Sequence, residues 1–156
     1  MARGGTVRWR RSSHQELLER VSDGVLADDR RSAMSELRVR AAESAQAQEA
    51  LGAMGLPVLL TVLREEREDL EMIRGALETL YNCITADTAP TPAAAAAAAA
   101  ADDALPPSAA AANAQALARD RDALALLLSL LEEEDFYVRY HTTQLLTELV
   151  RSAPKG

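Results

Sequence analysis

The chain has 156 residues, of which 48% are hydrophobic and only 3% aromatic, and its net charge is −7. This length suits one domain whose core is built from small aliphatic side chains, as in stacked helices. The negative charge argues against a general nucleic-acid surface, because phosphate binding needs a basic stripe. The single cysteine, Cys83, excludes an internal disulfide and a multi-cysteine zinc site, which fits a reducing compartment.

Residues 1–13, MARGGTVRWRRSS, are arginine-rich and lack apolar periodicity. We interpret them as a disordered basic tail. Nothing in this polar N-terminus resembles a secretory signal. The only long apolar run in the chain is polyalanine, which is too weakly hydrophobic for a membrane span. The sequence therefore predicts a soluble, intracellular protein.

Two helices are predicted between this tail and the middle of the chain. The first covers His14 to Arg20 and ends at a Ser-Asp-Gly break. The second is capped by Asp28 or Asp29 and extends to about Ala45. Alanine, methionine and leucine form one apolar stripe along it, which predicts packing against the following segment.

A second helical unit follows. It contains a buried helix from Leu56 to Leu63, a charged run from Arg64 to Asp69, and a helix from Leu70 to about Thr85. A glycine inside a helix is unfavourable by about 1 kcal/mol relative to alanine. Gly75 in the last helix therefore predicts close packing against a neighbour, and Cys83 is expected to be a buried structural cysteine.

Residues 88–113 interrupt this pattern with prolines and a run of alanines. Alanine offers little apolar area to bury, so the segment has no strong reason to dock on a core. We interpret it as an exposed, partly disordered Ala/Pro-rich insertion between two helices of one repeat. Such insertions are tolerated because loop-closure entropy grows slowly with loop length.

The stretch from Leu124 to Val150 predicts two helices joined by an acidic turn, Glu132 to Asp135. It aligns with Pro57 to Ile84 when two residues are skipped in the turn, and a weaker third copy lies upstream. In this alignment Arg31, Arg74 and Arg139 occupy equivalent positions. Arg74 follows Arg31 by 43 residues, and Arg139 follows Arg74 by 65 residues. Removing the 25 low-complexity residues 89–113 leaves a second spacing of 40. Spacings of about 40 to 47 residues are typical of armadillo and HEAT repeats.

The sequence therefore predicts an all-α, armadillo/HEAT-like right-handed helical-repeat solenoid of about three units. Its predicted segments are a basic tail (1–13), armadillo-like repeats (14–87), the low-complexity insertion (88–113), a further repeat (114–151) and a short tail (152–156).

No catalytic, cofactor or metal motif is present in the sequence, and an enzyme is not expected. Acidic runs occupy corresponding places in two repeats, which favours a structural turn, although a basic partner can also dock on an acidic patch. A recurrent arginine is expected to bridge adjacent repeats. The candidate protein-contact or inter-repeat residues are Glu132, Glu133, Glu134, Asp135 and Arg139.

Three blocks resemble a known family in their residues and their repeat phase. They are Asp28 to Leu37 (DDRRSAMSEL), Ala76 to Asp87 (ALETLYNCITAD) and Leu126 to Leu149 (LLLSLLEEEDFYVRYHTTQLLTEL). They resemble the general vesicular transport factor family, whose members are golgin-type vesicle tethers. The similar part is the N-terminal part of that family's armadillo-like globular head. The resemblance covers about Leu17 to Val150.

The resemblance implies a non-catalytic tethering head that acts in endoplasmic reticulum to Golgi and intra-Golgi vesicle transport. It implies Rab GTPases, golgins and SNARE proteins as partners, and a cytoplasmic protein that is peripheral on Golgi and vesicle membranes. No cofactor, nucleic acid or transmembrane segment is expected. The alternative is a generic armadillo-type adaptor outside the Golgi pathway.

Residues 1–156 contain no heptad repeat of the kind that forms the coiled-coil tail of that family, so we expect either a fragment of a longer tether or a separate module. Three repeats are about the minimum for a stable solenoid, and terminal repeats need polar caps. We therefore expect marginal stability, and self-association through an uncovered apolar face formed by Leu145, Leu149 and Val150.

Overall fold

The computed structural model describes residues 13–85 and 108–152, and every regular element within these ranges is an α-helix. The all-α prediction is confirmed. Eight helices are described, namely α1 (Ser13–Asp23), α2 (Ala27–Glu43), α3 (Ala45–Met54), α4 (Leu56–Glu65), α5 (Leu70–Ile84), α6 (Ala109–Arg119), α7 (Arg121–Leu130) and α8 (Phe136–Ser152).

Capping side chains determine where most of these helices begin. Ser44, Asp69, Ser108 and Asp120 each accept a hydrogen bond from the backbone N–H three residues further along. Asp135 does the same at the start of α8. A side-chain oxygen at this position satisfies one of the N–H groups that have no partner in the first turn.

The predicted cap of α2 is wrong. Leu26 occupies the N-cap position and forms no side-chain cap, while Asp28 and Asp29 lie two and three residues further on, in the first turn. There their charges interact favourably with the positive end of the helix dipole. Asp29 also pairs with Arg20 of α1, whose Nη2 is 2.6 Å from Asp29 Oδ1.

The helices form repeat units of three helices rather than the predicted pairs. Helices α3, α4 and α5 make one unit, and α6, α7 and α8 make the next, while α1 and α2 correspond to the last two helices of the unit before. The third helices α2, α5 and α8 lie side by side, with α5 packed between the other two. The first helix of each unit, α3 and α6, was not predicted, because both are short and rich in alanine and glutamine.

The structure shifts the predicted register between α5 and α8 by one residue. Asp69 and Asp135 are the corresponding capping residues, so the spacing between these helices is 66 rather than 65. Arg74 therefore corresponds to Tyr140 and not to Arg139. The register between α4 and α7 holds as predicted, since Leu59 and Leu63 fall on buried leucines of α7. The sequence alignment of the two units left out two residues in the turn before the last helix, whereas the structures of the two turns differ by one residue.

Close helix packing around Gly75 confirms the sequence prediction. A Cβ atom at Gly75 would lie 2.6 Å from Cγ of Met34 on α2, so the absent side chain lets α2 and α5 approach. Cys83 on the same helix is fully buried, as expected for a structural cysteine. Burial raises the pKa of its thiol to about 12.

Two buried amides join the repeat units. The Nε2 atom of Gln48 lies 3.1 Å from the carbonyl oxygen of Ala41 and 2.9 Å from that of Asn82, at the ends of α2 and α5. Asn113 on α6 donates to the carbonyl of Gln48 at 2.9 Å and to that of Cys83 at 3.0 Å. The carbonyl groups of Ala41, Asn82 and Cys83 lie in the last turns of α2 and α5, where a helix provides no N–H partner of its own.

The predicted segment boundaries differ from the helices at three places. Ser13 begins α1, so the part of the predicted tail outside the described residues is 1–12. Within the predicted insertion, residues 88–107 lie outside the described residues, but Ser108 caps α6 and Asn113 is buried on that helix. The insertion therefore precedes the first helix of a repeat instead of separating two helices of one repeat. Ser152, assigned to the C-terminal tail, ends α8.

The predicted uncovered face of α8 is only partly correct. Leu145 and Leu149 are buried, whereas Val150 is 77% exposed. Unit α6–α8 covers one face of α5. The residues of α8 at the equivalent positions have no such cover, and they are Arg139, Thr143, Leu146 and Val150. Leu146 and Val150 line an apolar groove with Leu131.

No helix within residues 13–85 and 108–152 is long and apolar enough to cross a bilayer.

Candidate functional site

The turn between α7 and α8 holds four of the five residues that the sequence singled out, Glu132 to Asp135, and the fifth, Arg139, lies in the first turn of α8. Two of its acids reach back to the preceding repeat. Glu133 Oε1 lies 2.5 Å from Nη1 of Arg67, which also donates to Ser129 Oγ at 2.8 Å. Asp135 Oδ1 lies 3.1 Å from Nε of Arg74, and the second oxygen of Asp135 also binds the same guanidinium. These contacts attach the turn to unit α3–α5.

Asp135 therefore has two roles at the start of α8. Its Oδ1 accepts the Val138 N–H at 2.9 Å and so caps the helix. The hydrogen bonds from Arg74, together with the capping amide, hold the pKa of Asp135 below its usual range, and partial desolvation opposes this only in part. A charged carboxylate at a helix N-terminus is also favoured by the helix dipole.

An equivalent contact joins the two preceding third helices. Arg31 of α2 places its Nε 3.1 Å from Oδ2 of Asp69, the capping residue of α5. Arg31 and Arg74 lie at the same position of their helices, and each binds the capping aspartate of the next unit. The hypothesis that a recurrent arginine bridges adjacent repeats therefore agrees with these two contacts.

Arg139 does not continue this series. Its Nη1 donates to the backbone carbonyls of Glu133 and Glu134, each at 2.7 Å, and so closes the turn within its own unit. The equivalent of Arg31 and Arg74 in α8 is Tyr140, which carries no charge for such a pair. The predicted third member of the arginine series is thus corrected.

A second row of contacts runs further along the third helices. Glu78 of α5 accepts from Arg38 of α2 at 2.7 Å and lies 3.1 Å from Nε2 of His141 on α8. One carboxylate thus contacts both flanking helices. This arrangement holds three repeats in one register and leaves His141 engaged in a structural contact.

Among the residues that the structure describes, Glu132 and Glu134 differ from the other two turn acids in having no bound partner. Both are exposed, and within the described residues neither side chain forms a hydrogen bond or ion pair. They adjoin a cluster of exposed aromatic residues at the start of α8, namely Phe136, Tyr137 and Tyr140. Sequence reasoning counted Phe136 as apolar and overlooked the cluster, although the spacing of 136, 137 and 140 places all three residues on the first turns of one helix.

These side chains offer charged and aromatic groups for contact with a protein. Among the described residues no group of three or more His, Cys, Asp or Glu side chains is arranged to hold a metal ion. The acids nearest to one another are occupied by Arg67 and Arg74 or face solvent. The turn therefore combines contacts between repeats with an open surface of aromatic rings and two free carboxylates.

Comparison with known proteins finds relatives among vesicle transport factors. The chain is 48% identical over 140 residues to golgin candidate 6 from Arabidopsis thaliana. It is 33% identical over 137 residues to general vesicular transport factor p115 from Bos taurus. These matches cover 89% and 88% of the chain but only 14% and 13% of the two relatives. The chain thus spans about one seventh of their length. No protein-family model matches it.

Solved structures also match the fold of this chain. Two crystal structures, titled Uso1-2 and Uso1-1, match with TM-scores of 0.65 and 0.63 at 25% and 27% identity. They align with 91% and 90% of the chain, and with 22% of each Uso1 chain. The predicted resemblance to the vesicular transport factors and the predicted helical-repeat fold are both confirmed.

Proposed function

We propose that this chain, a homologue of segments of golgin candidate 6 and the general vesicular transport factor, is a non-catalytic part of a vesicle-tethering head. It acts in endoplasmic reticulum to Golgi and intra-Golgi transport through protein–protein contacts. The observation that carries the proposal is the 48% identity to golgin candidate 6 across 89% of the chain.

The contacts between repeats support a binding role. A tether must present a surface of fixed shape while force acts along it. Here each repeat is attached to the next by ion pairs at the helix starts, such as Arg31 with Asp69, and by buried amides such as Asn113. Repeats that contact mainly their neighbours form extended surfaces, and partners bind along such surfaces.

The partners proposed are those that the resemblance implies, namely Rab GTPases, golgins and SNARE proteins. Such a protein would lie in the cytoplasm and associate peripherally with Golgi and transport-vesicle membranes. Attachment through protein partners suits a chain with a net charge of −7, because anionic headgroups at the cytoplasmic leaflet attract basic surfaces instead.

Binding to Rab GTPases tests this proposal. The immobilised chain is exposed to a panel of purified Rab GTPases, each loaded with a non-hydrolysable GTP analogue or with GDP. We expect at least one Rab to be retained more strongly in its GTP-bound form. Equal retention on an unrelated helical-repeat protein would contradict the proposed partner and would favour a general adaptor outside the Golgi pathway.

A further inference from the structure

An exposed aromatic cluster stands out on α8. The chain has only one Phe, three Tyr and one Trp. Three of these five residues lie together on the first turns of α8, where Phe136 is 62%, Tyr137 53% and Tyr140 47% exposed. Large aromatic side chains exposed together are unusual on a surface that binds nothing, and Tyr is enriched among the residues that dominate binding energies.

The exposure of Phe136 and Tyr137 does not result from their place in the last repeat. Their equivalents in unit α3–α5 are Leu70 and Glu71, and α8 is already packed against that unit. Leu70 nevertheless remains 41% exposed, and the side chain of Glu71 is 74% exposed. A further repeat placed on α8 in the same way would therefore leave Phe136 and Tyr137 open.

The aromatic rings are held in place before any partner binds. Phe136 and Tyr137 pack edge to face with their centroids 5.4 Å apart, and Phe136 stacks on Tyr140 at 6.1 Å. The guanidinium carbon of Arg74 lies 4.9 Å from the centre of the Tyr137 ring. A surface whose side chains are already ordered loses less conformational entropy when it binds.

The charges around the cluster indicate what it binds. Glu132 and Glu134 on the preceding turn, and Glu68 on the equivalent turn, form no hydrogen bond or ion pair within the described residues. Glu133 and Asp135 balance the charges of Arg67 and Arg74, and the remaining acids outnumber the one remaining cation, Arg139, which binds neutral backbone carbonyls. The surroundings of the rings are therefore negative, and they attract a positively charged segment.

We propose that Phe136 and Tyr137, with Tyr140 stacked behind Phe136 and with Glu132 and Glu134 beside them, form a docking surface for a lysine- or arginine-rich segment of a protein partner. An arginine or lysine of the partner packs over the open face of Phe136, where a ring attracts a cation. Neighbouring basic residues pair with the two free carboxylates. This inference rests on the proposed tethering role, which it deepens by stating the chemistry of one partner segment.

An array of short synthetic peptides tests the proposal. Arginine, lysine, leucine, serine and glutamate vary independently along the peptides, and the labelled full chain is the probe. We expect retention by peptides that carry several arginines or lysines. Raising NaCl from about 0.1 M to about 1 M, which shortens the Debye length from about 10 Å to about 3 Å, should weaken it.

Matched variants identify the surface. Phe136→Ser with Tyr137→Ser should weaken retention by about tenfold or more, as for residues that dominate an interface. Glu132→Gln with Glu134→Gln should weaken it and reduce its salt dependence. Val39→Ser, at a 44% exposed position of α2, and Glu43→Gln with Glu49→Gln should leave it unchanged. Equal melting midpoints show that every variant is folded.

Three results would overturn the proposal. They are retention without preference for basic peptides, retention by purely apolar peptides alone, and preference for basic peptides that survives the Phe136 and Tyr137 changes. The array contains no Rab GTPase, so this outcome is independent of the Rab experiment. Retention of basic peptides without Rab binding would support the surface and contradict the proposed Rab partner.

Discussion

Arg74 of α5 binds both carboxylate oxygens of Asp135, the residue that caps α8. The same aspartate thus starts one helix and attaches it to the previous repeat. Arg31 and Asp69 make the equivalent contact one repeat earlier. Helix formation and repeat stacking therefore depend on the same charged groups, and a change at one aspartate affects both.

We predict that Asp135 makes the stability of the chain depend on pH. Its pKa is lower in the folded chain than in the unfolded chain because Arg74 and backbone amides bind the charged form. The stabilisation is therefore complete above the unfolded-state pKa and is lost as the pH falls through the folded-state pKa. Urea unfolding should show Asp135→Asn less stable than wild type at neutral pH.

The difference in the free energy of unfolding between wild type and Asp135→Asn should become smaller as the pH falls through the folded-state pKa of Asp135. Glu134→Gln is the matched control, because this neighbouring acid has no side-chain partner within the described residues. A difference that stays constant down to strongly acidic pH would show that the charge of Asp135 is not responsible.

Gly75→Ala should destabilise the chain even though alanine favours helix. The new methyl group would lie 2.6 Å from Cγ of Met34, and overpacking of this kind costs about 1–3 kcal/mol, which over most of this range exceeds the gain of about 1 kcal/mol in helix propensity. Chemical denaturation of the two single variants, Gly75→Ala and Met34→Ala, and of the double variant measures the coupling. Loss in the double variant should be smaller than the sum of the single losses, and strict additivity would show that the two helices do not meet at this point.

Asn113→Leu should lower the free energy of unfolding by about 1–3 kcal/mol, the cost of leaving buried hydrogen-bonding groups unsatisfied. The variant keeps a similar volume but removes the N–H groups that bind the carbonyls of Gln48 and Cys83. Ala112→Leu, at an exposed position on the same helix, is the control and should change stability by no more than about 0.5 kcal/mol. Equal effects at the two positions would contradict the structural role of Asn113.

The groove at the end of the stack should cause self-association. Leu131, Leu146 and Val150 line it, and Val150 is 77% exposed. Sedimentation analysis should show oligomers that grow with concentration. Leu146→Gln with Val150→Gln should restore a monomer. In this variant, association would bury two amide groups without hydrogen-bond partners, and the smaller apolar surface would not offset that cost. A wild-type monomer with a cooperative melt that does not depend on concentration would contradict the prediction.

The sequence predicted the helical repeats because their signal lies in strong apolar periodicity. The leucines of α4 and α7 repeat at a constant spacing, and charged turns end both helices. The last helix of each unit was also predicted, and the apolar stripe along α2 predicted its packing against the following segment. These features depend on local patterns of residues, which a single sequence displays directly.

The remaining features depend on contacts between distant residues. Gln48 and Asn113 lie in polar or alanine-rich surroundings, and only the approach of three helix ends makes them structural. The register of Arg139 failed because a one-residue difference in turn length moves every side chain around the helix. At the candidate site the acidic turn was predicted, whereas its division into Glu133 and Asp135 facing the stack and Glu132 and Glu134 facing solvent required the structure.

Replacement of the corresponding segment in the vesicular transport factor tests the central claim most directly. Cells that lack the factor receive a version in which this chain replaces the homologous residues, and cargo transport from the endoplasmic reticulum to the Golgi is measured. The segment of golgin candidate 6, which is 48% identical to this chain, is the matched control. Our account predicts that the replacement restores transport as well as the golgin segment does. Transport no better than with an unrelated helical repeat of equal length, at equal expression and while the golgin segment restores it, would contradict a tethering role for this chain.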